Sequence, residues 1–370
     1  MESPAPVRTT RPGPVDGRLR ALLAELPEYV RPAEGGPGGV RHELASNENP
    51  FPPPPAVLAA AAAVLARGNR YPAMAAADLA AEVAGRLGTD AERVATGAGS
   101  LGVLRHLLEL WCAPGGEVVH AWRSFEAYPI LIRIAGARPV GVPLRGQRHD
   151  LPALAAAITP TTRVVLVCNP NNPTGTVVRE RELRAFLDDV PPGVLVVLDE
   201  AYREFVRDRD VPDGVEFGRT RPNVVVLRTF SKAHGLAGLR VGYAVAHPEV
   251  AGALRKATSP FEVTAVAEAA AIAALGAPET AVRVRSLVAE RDRVQRALVA
   301  GGWRVPWSEA NFLWLDLGAP SADFAAECAR EGIAVRAFAG EGVRVTVADR
   351  AVNDAFLAVA ARFRADRVRS

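Results

Sequence analysis

The sequence predicts an α/β protein with a large domain, in which a mostly parallel sheet is flanked by helices, and a smaller α+β domain. Three observations predict it. Short valine-rich runs recur between residues 117 and 246, nearly unbroken rather than alternating, as strands covered on both faces read. Helical and strand patterns alternate from about residue 56 onward. From about residue 260 the character changes to one long helical stretch followed by alternating strands.

In chain order, residues 1–18, "MESPAPVRTTRPGPVDGR", are polar and rich in Pro and Gly, with no apolar core. They read as a disordered tail rather than a signal peptide. Residues 19–54 are expected to join the small domain. That segment holds most of an amphipathic helix, "RLRALLAELPEYV", and a Gly/Pro linker near residues 32–39. The large domain is expected over 55–258. Its first helices, "AVLAAAAAVLARG" and "AADLAAEVAGRLG", stop at Gly68 and Gly88. Its strands are "EVVHAW" (117–122), "RPVGVPL" (138–144), "RVVLVCN" (163–169), "VLVVLDE" (194–200), "NVVVLRT" (223–229) and "VGYAVA" (241–246). The small domain, 259–370, is expected to hold a helix from Pro278 to Gly302. The strands "NFLWLDL", "IAVRAF" and "GVRVTVA" and a closing helix near 352–365 complete it.

Composition narrows the function. A chain of 370 residues with 49% apolar and 23% charged residues is an ordinary soluble enzyme by make-up. A formal charge of +3, with arginines interspersed among acids, gives no case for a nucleic-acid stripe or a membrane patch. Cys112, Cys168 and Cys328 are odd in number and widely spaced, which points to a reducing, cytoplasmic setting and no bound metal. No run approaches the ~18 apolar residues of a membrane span.

Only two of the 44 basic residues are lysines, Lys232 and Lys256. Lys232 sits in "RTFSKAHGLAGLR", where arginine cannot substitute if the chemistry needs a neutral amine. Open α/β sheets bind ligands at the carboxyl ends of their strands. There the chain presents Asn172 in "NPNNPTGT", Asp199 and Tyr202 in "DEAY", and Lys232 after Ser231. Each is a weak signal alone. Together they form the set that pyridoxal phosphate (PLP) requires. The amine forms a Schiff base with the aldehyde, the carboxylate keeps the pyridine nitrogen protonated, and the amide and phenol steady the ring oxygen O3′. The turn "TGAGSLGVLRHLLEL" (96–110) opens a helix whose first amides, at Ser100 and Leu101, suit a phosphate, with Ser231 and Arg240 as further ligands.

With these residues in view, the sequence resembles a fold-type I PLP-dependent aminotransferase of the histidinol-phosphate aminotransferase-like group. The matching stretches are "LASNENPF" (44–51), "NRYP" (69–72), "GAGS" (97–100), "VCNPNNPTGT", "LDEAYREF" and "FSKAHGLAGLRVGY", in order across residues 20–365. "WRSFEAYP" (122–129), "ANFLWLDLG" (310–318) and "GVRVTVA" are most similar to the bacterial aromatic amino acid (phenylalanine) aminotransferases. The resemblance implies that Lys232 is the Schiff-base lysine and Asp199 the pyridinium partner. It puts Asn172 and Tyr202 at O3′, Phe125 on the ring face, and Ser100, Ser231 and Arg240 at the phosphate. It also implies that Tyr71 reaches the phosphate of a neighbouring subunit, so that a homodimer shares its sites. Arg344 becomes the clamp on the substrate α-carboxylate, and its strand alternation puts Arg344 and Thr346 on one face. Arg336 matches a position that holds the distal group in relatives that bind histidinol phosphate.

The implied reaction moves an amino group between phenylalanine, tyrosine or tryptophan and a 2-oxo acid such as 2-oxoglutarate, in ping-pong fashion. The alternatives are a histidinol-phosphate aminotransferase, a PLP decarboxylase of a phosphorylated amino acid, and a ligand-sensing regulatory domain. The last would carry a DNA-binding domain ahead of the fold, for which fewer than ~50 residues leave little room. His234 departs from the Phe or Tyr of relatives. It is either a plain exchange of one ring for another or a titrating group near the cofactor or substrate entrance.

Overall fold

The computed structural model describes residues 41–369. The expected tail over 1–18 and the amphipathic helix before residue 31 lie outside the described residues. Within them a seven-stranded sheet and a four-stranded sheet organise the chain.

The large sheet is built from β2 (Val94–Gly97), β3 (Glu117–Trp122), β4 (Arg138–Pro143), β5 (Thr162–Cys168), β6 (Leu195–Asp199), β7 (Val224–Thr229) and β8 (Gly242–Val245). Their spatial order is β2-β8-β7-β6-β5-β3-β4. The pairs from β7 through β4 are parallel, while β8 runs antiparallel to both β7 and β2. The unbroken valine runs have the cause the sequence suggested. On β5, Val165 and Val167 face one core and Val164 and Leu166 the other, all at most 1% exposed. Each face is covered by helices, so neither row of side chains meets water.

On one face lie α2 (Ala77–Leu87), α5 (Leu151–Ala156), α6 (Glu180–Asp189), α7 (Gly214–Thr220) and α9 (Ala265–Gly276). On the other lie α3 (Gly99–Trp111), α4 (Ala127–Ile134) and α8 (Pro248–Ala257). The helix ends follow local chemistry. Thr264 caps α9 by accepting from the Ala267 amide at 3.1 Å. Helix α2 ends at Gly88, whose φ of +59° is the left-handed conformation that glycine adopts without penalty. Alanines line the contact of α9 with α1 (Pro55–Leu65), which lets the two backbones approach closely.

The small sheet has the order β1-β10-β11-β9, from β1 (His42–Leu44), β10 (Ile333–Phe338), β11 (Gly342–Thr346) and β9 (Phe312–Asp316). It packs against α10 (Pro278–Ala300), α11 (Ser321–Arg330) and α12 (Arg350–Arg369) around a separate core that includes Trp303, Phe312, Phe324 and Phe356. Sequence reasoning missed β1 and β2, and ended the last helix a turn early. Ala267, Ala270, Ala271, Ala274 and Ala277 belong to the large sheet's core, while the small core takes Val284 and Leu287 of α10 together with Leu44, Ala201, Tyr202, Phe205 and Ala233 from earlier in the chain. A run of alanines carries no mark of which sheet it will cover.

Beneath the site edge, Arg228 on β7 donates twice to Glu200 Oε2, at 3.0 and 2.7 Å, and once to Asp213 at 2.6 Å. Arg228 and Glu200 are 6% and 3% exposed. Arg228→Met strands the buried Glu200 carboxylate, so it should cost about 3–5 kcal/mol of stability, read as a lower urea midpoint at unchanged m.

Candidate active site

Parallel pairing sends β3, β5, β6 and β7 to one edge of the large sheet, and each changes there from strand to loop. β2 also ends at that edge, while the chain enters the antiparallel β8 from it just after Arg240. The loops at 97–101, 123–126, 169–176, 199–202 and 229–232 therefore converge, which is the geometry of a ligand site in an open α/β sheet.

Lys232 lies at the centre. Its Nζ donates to the Ser46 carbonyl at 3.0 Å and stands 5.9 Å from the centre of the Tyr202 ring. Burial, then the positive charges of Arg344 and Arg240, pull its pKa down to about 7, against the opposing pull of Glu48 and Asp199. Asp199 closes β6. Its Oδ2 accepts from the Tyr128 hydroxyl at 2.6 Å and its Oδ1 from the Ala201 amide at 3.2 Å. Burial raises its pKa, and those two donors and the Lys232 charge oppose the rise. Tyr202 is 4% exposed and its hydroxyl accepts from Asn47 Nδ2 at 3.0 Å. Burial raises that phenol too, so it stays protonated. Asn172 Oδ1 accepts from Arg344 Nη1 at 2.6 Å. Phe125 packs edge-on against Tyr128 with ring centres 5.6 Å apart.

Ser100 and Leu101 occupy the second and third positions of α3, where amides have no intrahelical acceptor. Gly99 has φ +77°, and a Cβ there would stand 2.8 Å from the Arg240 guanidinium. A Cβ on Gly242 would strike the Ser100 amide nitrogen at 2.4 Å. Glycine at both positions lets Arg240, β8 and the helix start close on one another. Ser231 completes this side, its hydroxyl accepting from Thr229 Oγ1 at 3.0 Å. An amine of depressed pKa, a buried carboxylate and a glycine-opened helix start beside an arginine fit the cofactor that the resemblance implies.

Arg336 and Arg344, the two arginines expected to meet the substrate, stand directly opposite one another on β10 and β11, so their side chains share a face. Arg344 is 7% exposed. Besides Asn172 it donates to the Ala45 carbonyl, and it lies 5.6 Å from the Phe312 ring centre. Arg336 is gripped by Glu126, at 3.2 Å through Nε and 3.0 Å through Nη2. Thr346 does face with Arg344. It receives the Asn47 amide at 2.9 Å, which ties the segment after β1 to the small sheet.

Tyr71 is not drawn into this cluster. It is 82% exposed and stacks on Phe261, ring centres 4.5 Å apart. Sequence reasoning passed over Tyr128, Asn47, Ser46 and Glu126. Asn47 and Ser46 lie inside the quoted "LASNENPF", and φ +54° at Asn47 suits an asparagine. Glu126 and Tyr128 lie inside the quoted "WRSFEAYP", but the Tyr128 partner is 71 positions away, so its role shows only in the fold. The contacts of His234 run to Phe230, 4.9 Å between ring centres, and to Glu204, 3.8 Å away. Burial holds its pKa near 4, so the ring is neutral across the working range.

Two outcomes follow from these environments. In the cofactor-free protein, Lys232 should react with an acylating reagent with a midpoint near pH 7, protonated and inert below it and reactive above, as read by mass spectrometry across pH. His234→Tyr should leave the pH–rate profile above pH 5 unchanged, because no titration is lost there.

Comparison with known proteins agrees with this geometry. The model of the family "Aminotransferase class I and II" matches residues 42–359. An aromatic amino acid aminotransferase of Streptomyces coelicolor is 57% identical over 351 residues, covering 94% of this chain and 98% of that one. One from Thermobifida fusca is 58% identical over 345 residues, covering 92% and 96%. Among solved structures, histidinol-phosphate aminotransferase from Sinorhizobium meliloti, in complex with pyridoxal-5'-phosphate, superposes with a TM-score of 0.85 at 30% identity, covering 94% and 97%. The chain belongs to the class I and II aminotransferases, PLP-dependent enzymes that exchange the amino group of an amino acid for the oxo group of a 2-oxo acid.

Proposed function

We propose that this chain is an aromatic amino acid aminotransferase, moving the amino group of phenylalanine, tyrosine or tryptophan to a 2-oxo acid such as 2-oxoglutarate. The observation that carries the reading is the bidentate Glu126–Arg336 pair beside Arg344. Arg344 suits the α-carboxylate that every substrate brings. Arg336, the residue the sequence offered for a distal anion, is already matched by a carboxylate. A phosphate drawn to Arg336 would also meet Glu126, and like-charge juxtaposition in a partly desolvated site is costly. An uncharged ring meets no such opposition, and the single distal charge of a 2-oxoglutarate acceptor meets less of it than a phosphate dianion does. The names of the relatives above support the same substrate class.

In this proposal Asp199 pairs with the ring nitrogen, Asn172 and Tyr202 reach O3′, and Phe125 covers the ring face. Ser100, Leu101, Ser231 and Arg240 hold the phosphate. Bound there, PLP supplies an aldehyde to carry the amino group and an electron-withdrawing ring. The chain supplies the rest. Arg344 fixes the substrate by its α-carboxylate, which orients the Cα–H bond. Lys232 Nζ, brought to a pKa near 7 by burial and its arginine neighbours, removes the Cα proton in its neutral form. Buried Tyr128 holds Asp199 in place and keeps water from its carboxylate.

The proposal extends to a cytoplasmic homodimer with shared sites, in which residues 55–258 and 259–370 serve as large and small domains. Tyr71, Met74, Leu58 and Leu65, all more than half exposed, support an interface near Tyr71. Among the described residues, no single helix is long and apolar enough to cross a membrane.

A single-turnover experiment on the PLP-loaded enzyme tests the substrate. Phenylalanine should bleach the visible cofactor band rapidly and histidinol phosphate should not; the reverse result moves the enzyme to the phosphorylated substrate. Lys232→Ala should abolish turnover. Glu126→Gln, which removes the carboxylate charge that a phosphate at Arg336 would meet, should raise kcat/KM for histidinol phosphate relative to phenylalanine about tenfold.

A further inference from the structure

We infer that Glu262 and His106 are positioning residues for the cofactor phosphate, locking the glycine turn that opens α3; the inference rests on the proposed phosphate cradle at Ser100 and Leu101. The turn has little to hold it by itself. Gly97 and Ala98 precede the helix and Gly99 is its first residue, and Ala98, at the N-cap, has no side chain able to accept a hydrogen bond. Two glycines in three residues leave the unbound turn many conformations to lose.

Glu262 supplies the missing constraint from a different part of the chain. Its Oε1 accepts from the Ala98 amide at 3.0 Å, and its Oε2 pairs with His106 Nε2 at 2.7 Å. One carboxylate therefore ties the turn to the helix it starts, about two turns further on. Both side chains are largely withdrawn from solvent, at 14% exposure for Glu262 and 11% for His106. The turn and the first turn of α3 leave room for the carboxylate. A Cβ on Gly97 or Gly102 would stand 3.6 or 3.0 Å from Oε1. Arg240 presses on Gly99 from one direction while Glu262 holds Ala98 from another, so the turn is gripped from two elements.

The segment that carries Glu262 is itself fixed. Phe261 adopts φ +64°, a conformation that bulky residues take only when their surroundings impose it, and its ring stacks on Tyr71. Both Glu262 oxygens are engaged by Ala98 and His106, which leaves the amides at Ser100 and Leu101 for the phosphate. A turn ordered before the ligand arrives lowers the cost of binding it.

The test uses a ligand pair that differs only in the phosphate. The cofactor-free wild type, Glu262→Ala and Glu262→Gln are titrated with PLP and with pyridoxal, followed by absorbance. Glu262→Ala should bind PLP about tenfold more weakly with pyridoxal affinity unchanged. Glu262→Gln, which keeps an oxygen for the Ala98 amide, should recover most of the loss. Unchanged PLP affinity in Glu262→Ala would overturn the inference, as would equal weakening of both ligands. If Glu262→Ala does not fold, His106→Gln carries the same test, with a smaller loss and the same selectivity for the phosphate ester. A wild type that bound PLP no more tightly than pyridoxal would overturn the cradle itself, and this inference with it.

Discussion

In the proposed function everything in the site answers to one constraint: an amine must give up its proton near pH 7 while anionic ligands are held close by. Cations that attract carboxylate and phosphate also raise the energy of a nearby ammonium. Guanidinium cannot relieve that repulsion by losing a proton, so the lysine yields instead. Burial is the largest cause of the shift at Lys232, with Arg344 next and Arg240 further down. The arrangement works only if the arginines cannot swing away. Arg344 is held by Asn172, the Ala45 carbonyl and the Phe312 ring, and Arg240 by the Ala237 carbonyl at 2.8 Å. Each anchor comes from a different stretch of chain. The chemistry of one amine is therefore a property of the whole fold.

The large sheet sets the distances on which this depends. Parallel pairing aligns Cys168 with Asp199 and Asp199 with Leu227, so the loops after β5, β6 and β7 leave the sheet almost level. Asp199 and Lys232 are brought together by that register rather than by any bond between them. The Arg228–Glu200 pair lies next to this edge and costs desolvation, which its multiple hydrogen bonds offset. A buried pair of this kind resists a register slip between β6 and β7, because a slip would leave a charge unpaired.

The sequence made legible what local chemistry encodes. Valine runs gave the central strands, and the residues ending them gave Asn172, Asp199, Tyr202 and Lys232. Strand direction is not a local property: "VGYAVA" is as apolar as its neighbours, yet β8 is antiparallel, because the chain re-enters the sheet from the same edge it left. The three-residue β1 and the four-residue β2 were too short to show a period. Tyr128, Asn47 and Glu126 share one reason for escaping notice. Each acts through a partner far away in sequence, so an isolated Tyr, Asn or Glu carries no signal until the fold supplies the other half. The same reason hid the Glu126–Arg336 pair, and with it the strongest argument about the substrate's distal end.

The site is divided between two sheets, and that division gives the small sheet a role beyond support. Ser46 and Asn47 leave β1, Arg344 stands on β11, and Lys232 and Asp199 belong to the large sheet. The separation of the sheets therefore sets the distance between Arg344, the proposed carboxylate clamp, and the Lys232 amine. Two ion pairs join the sheets with opposite polarity: Arg123 on the large side meets Glu341, and Glu126 on the large side meets Arg336. Crossed polarity favours one lateral alignment, because sliding either element brings like charges together. Arg123 is also packed between Trp122 and Phe338, 4.1 and 5.3 Å from their ring centres, so it cannot follow Glu341 freely. The alignment that satisfies both pairs is the one that puts Arg344 beside Asn172. In the proposed function specificity and geometry then have a common source, since the carboxylate paired with Arg336 also helps to hold Arg344 over the amine.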